Sequence, residues 1–413
     1  MHRTFAVVVC FIAWQAHAQP LSLEDAQRRA VARSQQLAAQ DSAVTAAREM
    51  AVSAGQLPDP VLKLGIDNLP VTGEDRWSLT KDFMTMRRIG VMQEITRSEK
   101  RELRQQRFGR EAEKAVVEKA AASAIIQRNT ALAWLDRYYA EAMQRVIAEQ
   151  SAQVKREISA AEAVYRGGRG SQADVIAAHG TLAALEDRAS EFRRRATSAT
   201  VTLGRWIGDG ADAPLAARPD IDAVRLDLQN LERDLAHHPE IAVLARQAEI
   251  SVAEARIAEA SRKPDWSVEF AYQQRGSDYS NMVSLGISMP LPWDTGNRQD
   301  REAGAKFAAA EQARAQREEL LRSHVGEVRA LLAEWQNGRE RLVRYARELI
   351  PLAAERSRAS LSAYQGGRAS LTDLLLARRN ETEVRTQAVQ LEMETARVWA
   401  QLNFLTPHPG GTP

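Results

Sequence analysis

Three sulfur side chains stand close together: Met84 and Met86 are two residues apart, and Met92 follows. Thioethers of this kind suit soft ions such as Cu(I) or Ag(I). Methionine also fills gaps in apolar surfaces, and two such residues on a strand would share one apolar face, so this is a weak metal signal. His237-His238 precedes Pro239-Glu240 at an expected helix start, where proline and an acidic neighbour are ordinary N-terminal residues. A third metal ligand for that pair cannot be located. There is no phosphate-cradling Gly-Lys-Ser/Thr loop, no serine nucleophile elbow and no His-Glu-x-x-His helix. We therefore expect no enzyme, no cofactor and no resident metal. The remaining chemistry-bearing set is a Tyr, two Gly, an Arg, a Ser and an Asp, and it occurs twice.

Ala163 to Asp174 reads AVYRGGRGSQAD, and Ser362 to Asp373 reads SAYQGGRASLTD. Tyr, both Gly, Arg, Ser and Asp recur in order, shifted by 199. Leu57-Pro58-Asp59 matches Lys263-Pro264-Asp265 at 206, Gly90 matches Gly286 at 196, and Trp134 matches Trp335 at 201. So long a period is a duplicated half rather than a solenoid unit.

The 413 residues are 44% hydrophobic, 6% aromatic and 27% charged, rich in Ala, Arg, Glu and Gln. That composition suits long helices. A mean hydropathy of −0.40, without an apolar run near 18 residues, excludes a helical membrane span. The formal charge of +2 is spread along interleaved signs, so no nucleic-acid partner is expected. Residues 1–18 read as a cleavable export signal: Arg3, an apolar stretch from Phe5 to Trp14, then Ala16-His17-Ala18. The only cysteine, Cys10, lies inside that stretch. It is a poor lipidation site after bulky Val9, so the mature chain is expected to be unlipidated and free of cysteine.

The elements that must position the repeated set follow from periodicity. A first helix is expected over 23–56. Val61 to Asp67 alternates, with Leu62, Leu64 and Ile66 on one face, and a second strand is expected over 88–95. In the second half Trp266, Val268, Phe270 and Tyr272 alternate strictly, and 282–291 returns. Each hairpin has strands of the length that a tilted crossing of a bilayer needs. Residues 97–164 contain one glycine and no proline, predicting one very long helix. Residues 296–363 predict its copy, kinked at Pro351. The Gly pairs end both helices, and return helices are expected over 171–206 and 370–405.

Four amphipathic strands cannot stand in lipid alone, because their edges would leave unpaired backbone groups costing several kcal/mol each. Closure must come from further copies of the chain; three would give twelve strands and two would give eight. Ala-rich rods likewise need neighbours. The residues thus argue for a barrel joined to a helical tube.

With the two Tyr-x-x-Gly-x-x-Ser-x-x-Asp motifs, the Pro-Asp pairs before the hairpins and the long helices, the sequence resembles the TolC family of outer-membrane efflux ducts over nearly its whole mature length. Asp67 to Gly73 and Asp82 to Gly90 resemble its heavy-metal-efflux branch. The resemblance implies a mainly α fold with a small β part. It implies a homotrimeric duct with a long α-helical barrel and a 12-stranded barrel in outer-membrane lipid, four strands per chain. The organisation expected is a first repeat at 19–207, a linker at 208–221, a second repeat at 222–405 and a tail at 406–413. The partners implied are a periplasmic adaptor and an inner-membrane RND transporter. The cargo implied is a heavy-metal cation, with drugs or other organic solutes as the alternative. A soluble periplasmic coiled-coil scaffold is the rival from another class.

By the same resemblance the periplasmic tip would dock the adaptor through Gly167, Gly168, Arg169, Ser171, Gly366, Gly367, Arg368 and Ser370. A gate would use Asp174, Tyr364, Arg368 and Asp373. The fit is incomplete: Ala369 stands where the family has its arginine, Arg368 lies one residue earlier, and Leu376 replaces the second acidic ring. The plain alternative for each Asp is a helix-capping role.

Overall fold

The computed structural model describes residues 20–168, 170–226 and 230–407. The export signal with Cys10, Arg169 and the end of the tail lie outside them. In chain order the elements are α1 (Leu23–Ala32), α2 (Gln35–Ala54), β1 (Val61–Asp67), β2 (Met86–Ile95), α3 (Ser98–Arg166), α4 (Gln172–Ile207) and α5 (Leu231–Leu235). Then come α6 (Pro239–Ala260), β3 (Trp266–Gln274), β4 (Met282–Ser288), α7 (Gln299–Arg344), a π-helical turn (Tyr345–Leu349), α8 (Ile350–Gln365) and α9 (Leu371–Asn403).

The chain divides into two compact units. One gathers residues 35–122 and 230–327. It holds a single antiparallel sheet in the order β1-β2-β3-β4, so the two hairpins join through β2 and β3. Its Ala-rich helices are stitched by ion pairs as well as by buried Leu37, Val44, Ile241 and Ile250. Glu254 on α6 takes Arg107 of α3 (3.4 Å) and Lys306 of α7 (2.9 Å), and Arg246 of α6 meets Glu113 of α3 at 3.1 Å. Away from the helices, Gly276 lies so close to Thr80 that an added Cβ would fall 1.9 Å from its carbonyl oxygen, which only glycine allows.

The other unit gathers residues 20–34, 123–168, 170–226 and 328–407. Here three tryptophans tie extended chain to helices. Trp134 Nε1 donates to Leu21 O (3.0 Å), Trp335 Nε1 to Ile221 O (3.0 Å), and Trp399 Nε1 to Ala223 O (2.8 Å). Trp134 and Trp335 are thus matched in function as well as in sequence. In each case a buried indole N–H finds a main-chain acceptor. A second apolar cluster joins Ile147, Val154 and Ile158 of α3 to Ala178 and Leu185 of α4 and to Leu371 and Leu374 of α9.

Two helices differ from expectation. The stretch 23–56 is two helices, broken at Arg33-Ser34, where the Arg33 guanidinium donates to Gly204 O at the end of α4 (3.3 Å). No glycine or proline marks that break; Ser34, a residue type favoured just before a helix, directly precedes α2. In the second repeat the irregularity lies before Pro351, not at it. Proline cannot donate to the carbonyl four residues back, and the backbone widens ahead of it, so that Ile350 N–H bonds Tyr345 O five residues back.

Candidate functional site

The repeated motifs form two short turns. Gly168 has φ 75° and Gly367 φ 69°, so only the second glycine of each pair is left-handed. Gly168 N donates to Tyr165 O (2.9 Å) and Gly367 N to Tyr364 O (3.0 Å). Each turn leads into a serine cap: Ser171 Oγ accepts from Ala173 N, and Ser370 Oγ accepts from Asp373 N, both at 3.1 Å.

The two Asp residues of the expected gate then part company. Asp373 Oδ2 accepts from Ser370 N (3.1 Å) and from Ser370 Oγ (2.7 Å), completing a capping box. The Ser370 hydroxyl, then its amide, hold this carboxyl below its ordinary value. Asp174 makes no such box. Its charge reaches Tyr364 instead: burial first, then Asp174 and Glu157, push the Tyr364 phenol up, keeping it a proton donor. Tyr364 packs against the second apolar cluster. Arg368 forms no ion pair among the described residues; its main-chain N–H donates to Ala363 O (2.8 Å), and its Nε lies 3.4 Å from where a Cβ on Gly366 would stand. Of the expected gate set, then, Asp174 and Tyr364 are brought within electrostatic reach, while Asp373 serves as a cap.

Beside these turns lies a charged group that the sequence analysis missed. Glu157 of α3 and Arg378, Glu381 and Arg385 of α9 form a chain of ion pairs at 2.8, 3.4 and 2.8 Å. The i, i+3 and i, i+4 spacing of the α9 members is readable, but Glu157 is 221 positions from Arg378.

The sheet has two unlike faces. Leu62, Leu64 and Ile66 of β1, Ile89 and Val91 of β2, Phe270 and Tyr272 of β3 and Val283, Leu285 and Ile287 of β4 share one face, and all are exposed. Leu64, Leu285 and Ile287 are each more than 70% exposed, and water gives no reason for so large an apolar surface. The opposite face is polar. There Lys63 Nζ lies 2.5 Å from Glu269 Oε2, while Arg88 lies 3.6 Å from both Glu269 and Asp67. These four charges cancel and lie across a floor of Gly90 and buried Ala271. Ser267 and Ser288 hydroxyls meet at 2.7 Å on the same face.

The methionines do not form a site. Met84 stands in the turn before β2 rather than on a strand. Met86 and Met92 both lie on the polar face, alternating with Ile89 and Val91, and six residues hold them about 20 Å apart. The expectation that they share an apolar face is therefore corrected. His238 Nδ1 accepts from Glu240 N (3.3 Å), capping α6, and its ring packs on His324. Among the described residues no group of three or more His, Cys, Asp or Glu could hold a metal ion.

No family model matches the sequence. A curated relative, nodulation protein T of Rhizobium leguminosarum bv. trifolii, is 28% identical over 262 residues, 58% of this chain and 54% of that protein. The chain therefore spans about half the length of the curated relative it matches. Solved structures share the fold. The outer-membrane channel OprN superposes with a TM-score of 0.78 at 18% identity, over 94% of this chain and 90% of that one. The outer membrane protein VceC of Vibrio cholerae superposes with a TM-score of 0.74 at 20% identity, over 93% and 95%. The chain has the fold of these outer-membrane channels. That is the TolC-like fold expected from the sequence: mostly helix, with a four-stranded antiparallel sheet.

Proposed function

We propose that the chain is the outer-membrane duct of a tripartite efflux pump, a passive conduit rather than an enzyme. The observation that carries this reading is the sheet: four strands, one face apolar and exposed, the other polar with its charges nearly balanced (Lys63 and Arg88 against Asp67, Glu94 and Glu269), and β1 and β4 unpaired at the edges. Such a sheet is satisfied when lipid covers the apolar face and other copies pair its edges. Three copies would close twelve strands, as the resemblance to the family implies.

In this reading the Gly turns are the periplasmic tip that meets an adaptor, and the inner-membrane RND transporter supplies the energy. Asp174 and Tyr364 would help to hold the tip closed. The cargo we favour is a heavy-metal cation, supported by the likeness of residues 67–73 and 82–90 to that branch; organic solutes are the alternative. Growth of a deletion strain on copper, silver, zinc or cobalt salts decides between them: sensitivity to drugs alone would sink the metal reading.

The test of the duct is mass and place. Light scattering of detergent-solubilised protein from purified outer membranes should give three mature chains. A monomer released from the periplasm in soluble form would overturn the duct and favour a soluble scaffold.

A further inference from the structure

We infer that the seam between copies repeats the junction between the two halves within one chain: β4 of one copy pairs with β1 of the next with Gly286 opposite Gly65, and Asp59 faces the partner's Arg298 and Arg301. This inference rests on the duct reading and adds the register and the contact that closes it.

The template is the β2–β3 pairing, where the end of one hairpin meets the start of the other. Its register places Gly90 opposite Ala271. The duplication carries Gly90 to Gly286, and Pro264-Asp265 to Pro58-Asp59, hence Ala271 to Gly65. The same register transferred to the free edges therefore sets Gly286 against Gly65. Two independent features agree with it. Ile287 falls beside Leu64 and Leu285 beside Ile66, all exposed and all on the apolar face, while Ser288 falls beside Lys63 on the polar face. A slip of one residue would turn each of these pairs to opposite faces. The junction also needs small residues: a Cβ on Gly90 would stand 2.9 Å from the Ala271 Cβ, and at the seam both positions are glycine.

The charges follow the same equivalence. Asp265 Oδ1 accepts from Arg97 N (3.1 Å) and its Oδ2 from Lys100 Nζ (2.8 Å), fixing the start of α3 against the start of β3. Burial alone would raise this carboxyl, but those two bonds hold it below its ordinary value. Helices α3 and α7 begin at Ser98 and Gln299, in step with Trp134 and Trp335, so Arg298 and Arg301 are the counterparts of Arg97 and Lys100. Asp59, Arg298 and Arg301 are all exposed, and none has an ion pair among the described residues. Within one chain Asp59 cannot reach its counterpart's partners, because β1 and β4 are opposite edges of the sheet. The second junction is longer, since Gly286 precedes Gln299 by thirteen positions and Gly90 precedes Ser98 by eight. Arg298 N, the counterpart of Arg97 N, already donates to Asp294 O (3.2 Å), so Asp59 is left to meet the guanidinium groups.

The experiment uses the full chain in its native outer membrane. Ser288→Cys is combined with Lys63→Cys, and in parallel with Val61→Cys and with Gly65→Cys, and mild oxidation is read on non-reducing gels against the parent chain. The expected result is a dimer and trimer ladder for the 63/288 pair, roughly tenfold above the two slipped pairs, since a disulfide tolerates only a narrow Cα separation. A stronger ladder from a slipped pair, or none from any pair in protein that scatters as a trimer, overturns the register and leaves the duct standing. Protein that scatters as a monomer overturns both. Asp59→Arg should weaken the trimer in detergent, and Asp59→Arg with Arg301→Asp should restore it. An Asp59→Arg trimer as stable as the parent, or a double variant that fails to recover, overturns the contact.

Discussion

Arg378 Nε lies 2.8 Å from Glu157 Oε1, with only 12% and 8% of the two side chains exposed. Glu381, 4% exposed, receives the other arm of Arg378 and one arm of Arg385. Two carboxylates and two guanidinium groups are thus packed between α3 and α9, next to the apolar cluster that holds Tyr364.

Removing one partner of such a pair strands a buried charge. Arg378→Met should cost about 3–5 kcal/mol, far more than an exposed ion pair is worth. Thermal unfolding of the detergent-solubilised protein measures it, and a loss under about 1 kcal/mol would show that the pair is dispensable. The pH dependence has a defined sign. Burial lifts Glu157 above the ordinary 4.5, although Arg378 draws it down. Its protonated form is therefore favoured in the folded state, and stability from this group falls as pH rises from 4.5 through the raised value. Glu157→Gln should flatten that slope; an unchanged slope would place its origin elsewhere.

Glu269 is the hub of the polar face of the sheet, since it meets both Lys63 and Arg88. Glu269→Gln leaves those two cations facing Asp67 and, opposite Ser267, Glu94, so the face changes from one negative charge per chain to neutral. In planar bilayers under a salt gradient the reversal potential should move toward anions at about 0.1 M salt and return near 1 M, where screening is within roughly 3 Å. A reversal potential equal to the parent's at low salt would mean that this face does not line the path.

Gly367 has open space around the position of a Cβ, so a side chain there meets backbone strain rather than a clash. Gly367→Leu should cost about 1–2 kcal/mol and leave trimer and membrane insertion intact. On the proposed reading efflux should nevertheless be lost, because a bulky group would stand at the proposed adaptor contact. Retained resistance in cells carrying this variant would argue against docking at the turn.

Asp174 follows the first glycine turn on α4, and Tyr364 precedes the second on α8. If their interaction helps to close the duct, Asp174→Asn with Tyr364→Phe should raise single-channel conductance. Conductance equal to the parent's would locate the closure elsewhere.

Much of the fold was legible because it rests on local signals. Alternation of Leu62, Leu64 and Ile66 marked β1, and the paired glycines marked both helix ends. What escaped depends on contacts between distant residues. Glu157 finds Arg378 only through packing of α3 on α9. The matched tryptophans were visible as anchors, but their acceptors, Leu21 and Ile221, carry no sequence signal because they are main-chain carbonyls. After the two glycine turns, the spacing of Asp174 and Asp373 from their glycines is identical, yet only the second is tied up by its serine. That difference comes from serine cap geometry, which residue type alone does not reveal.

The π-helical turn before Pro351 has a rotational consequence. From Trp134 to Tyr165 is 31 positions, and from Trp335 to Tyr364 it is 29. At 3.6 residues per turn the missing two would set the second tyrosine about 200° behind the first. The wide turn delays it by roughly another 100°, bringing the two to within about 60° of the same bearing. The bulge therefore works as a phase corrector, letting two halves of unequal length present their glycine turns from nearly the same side of their helices.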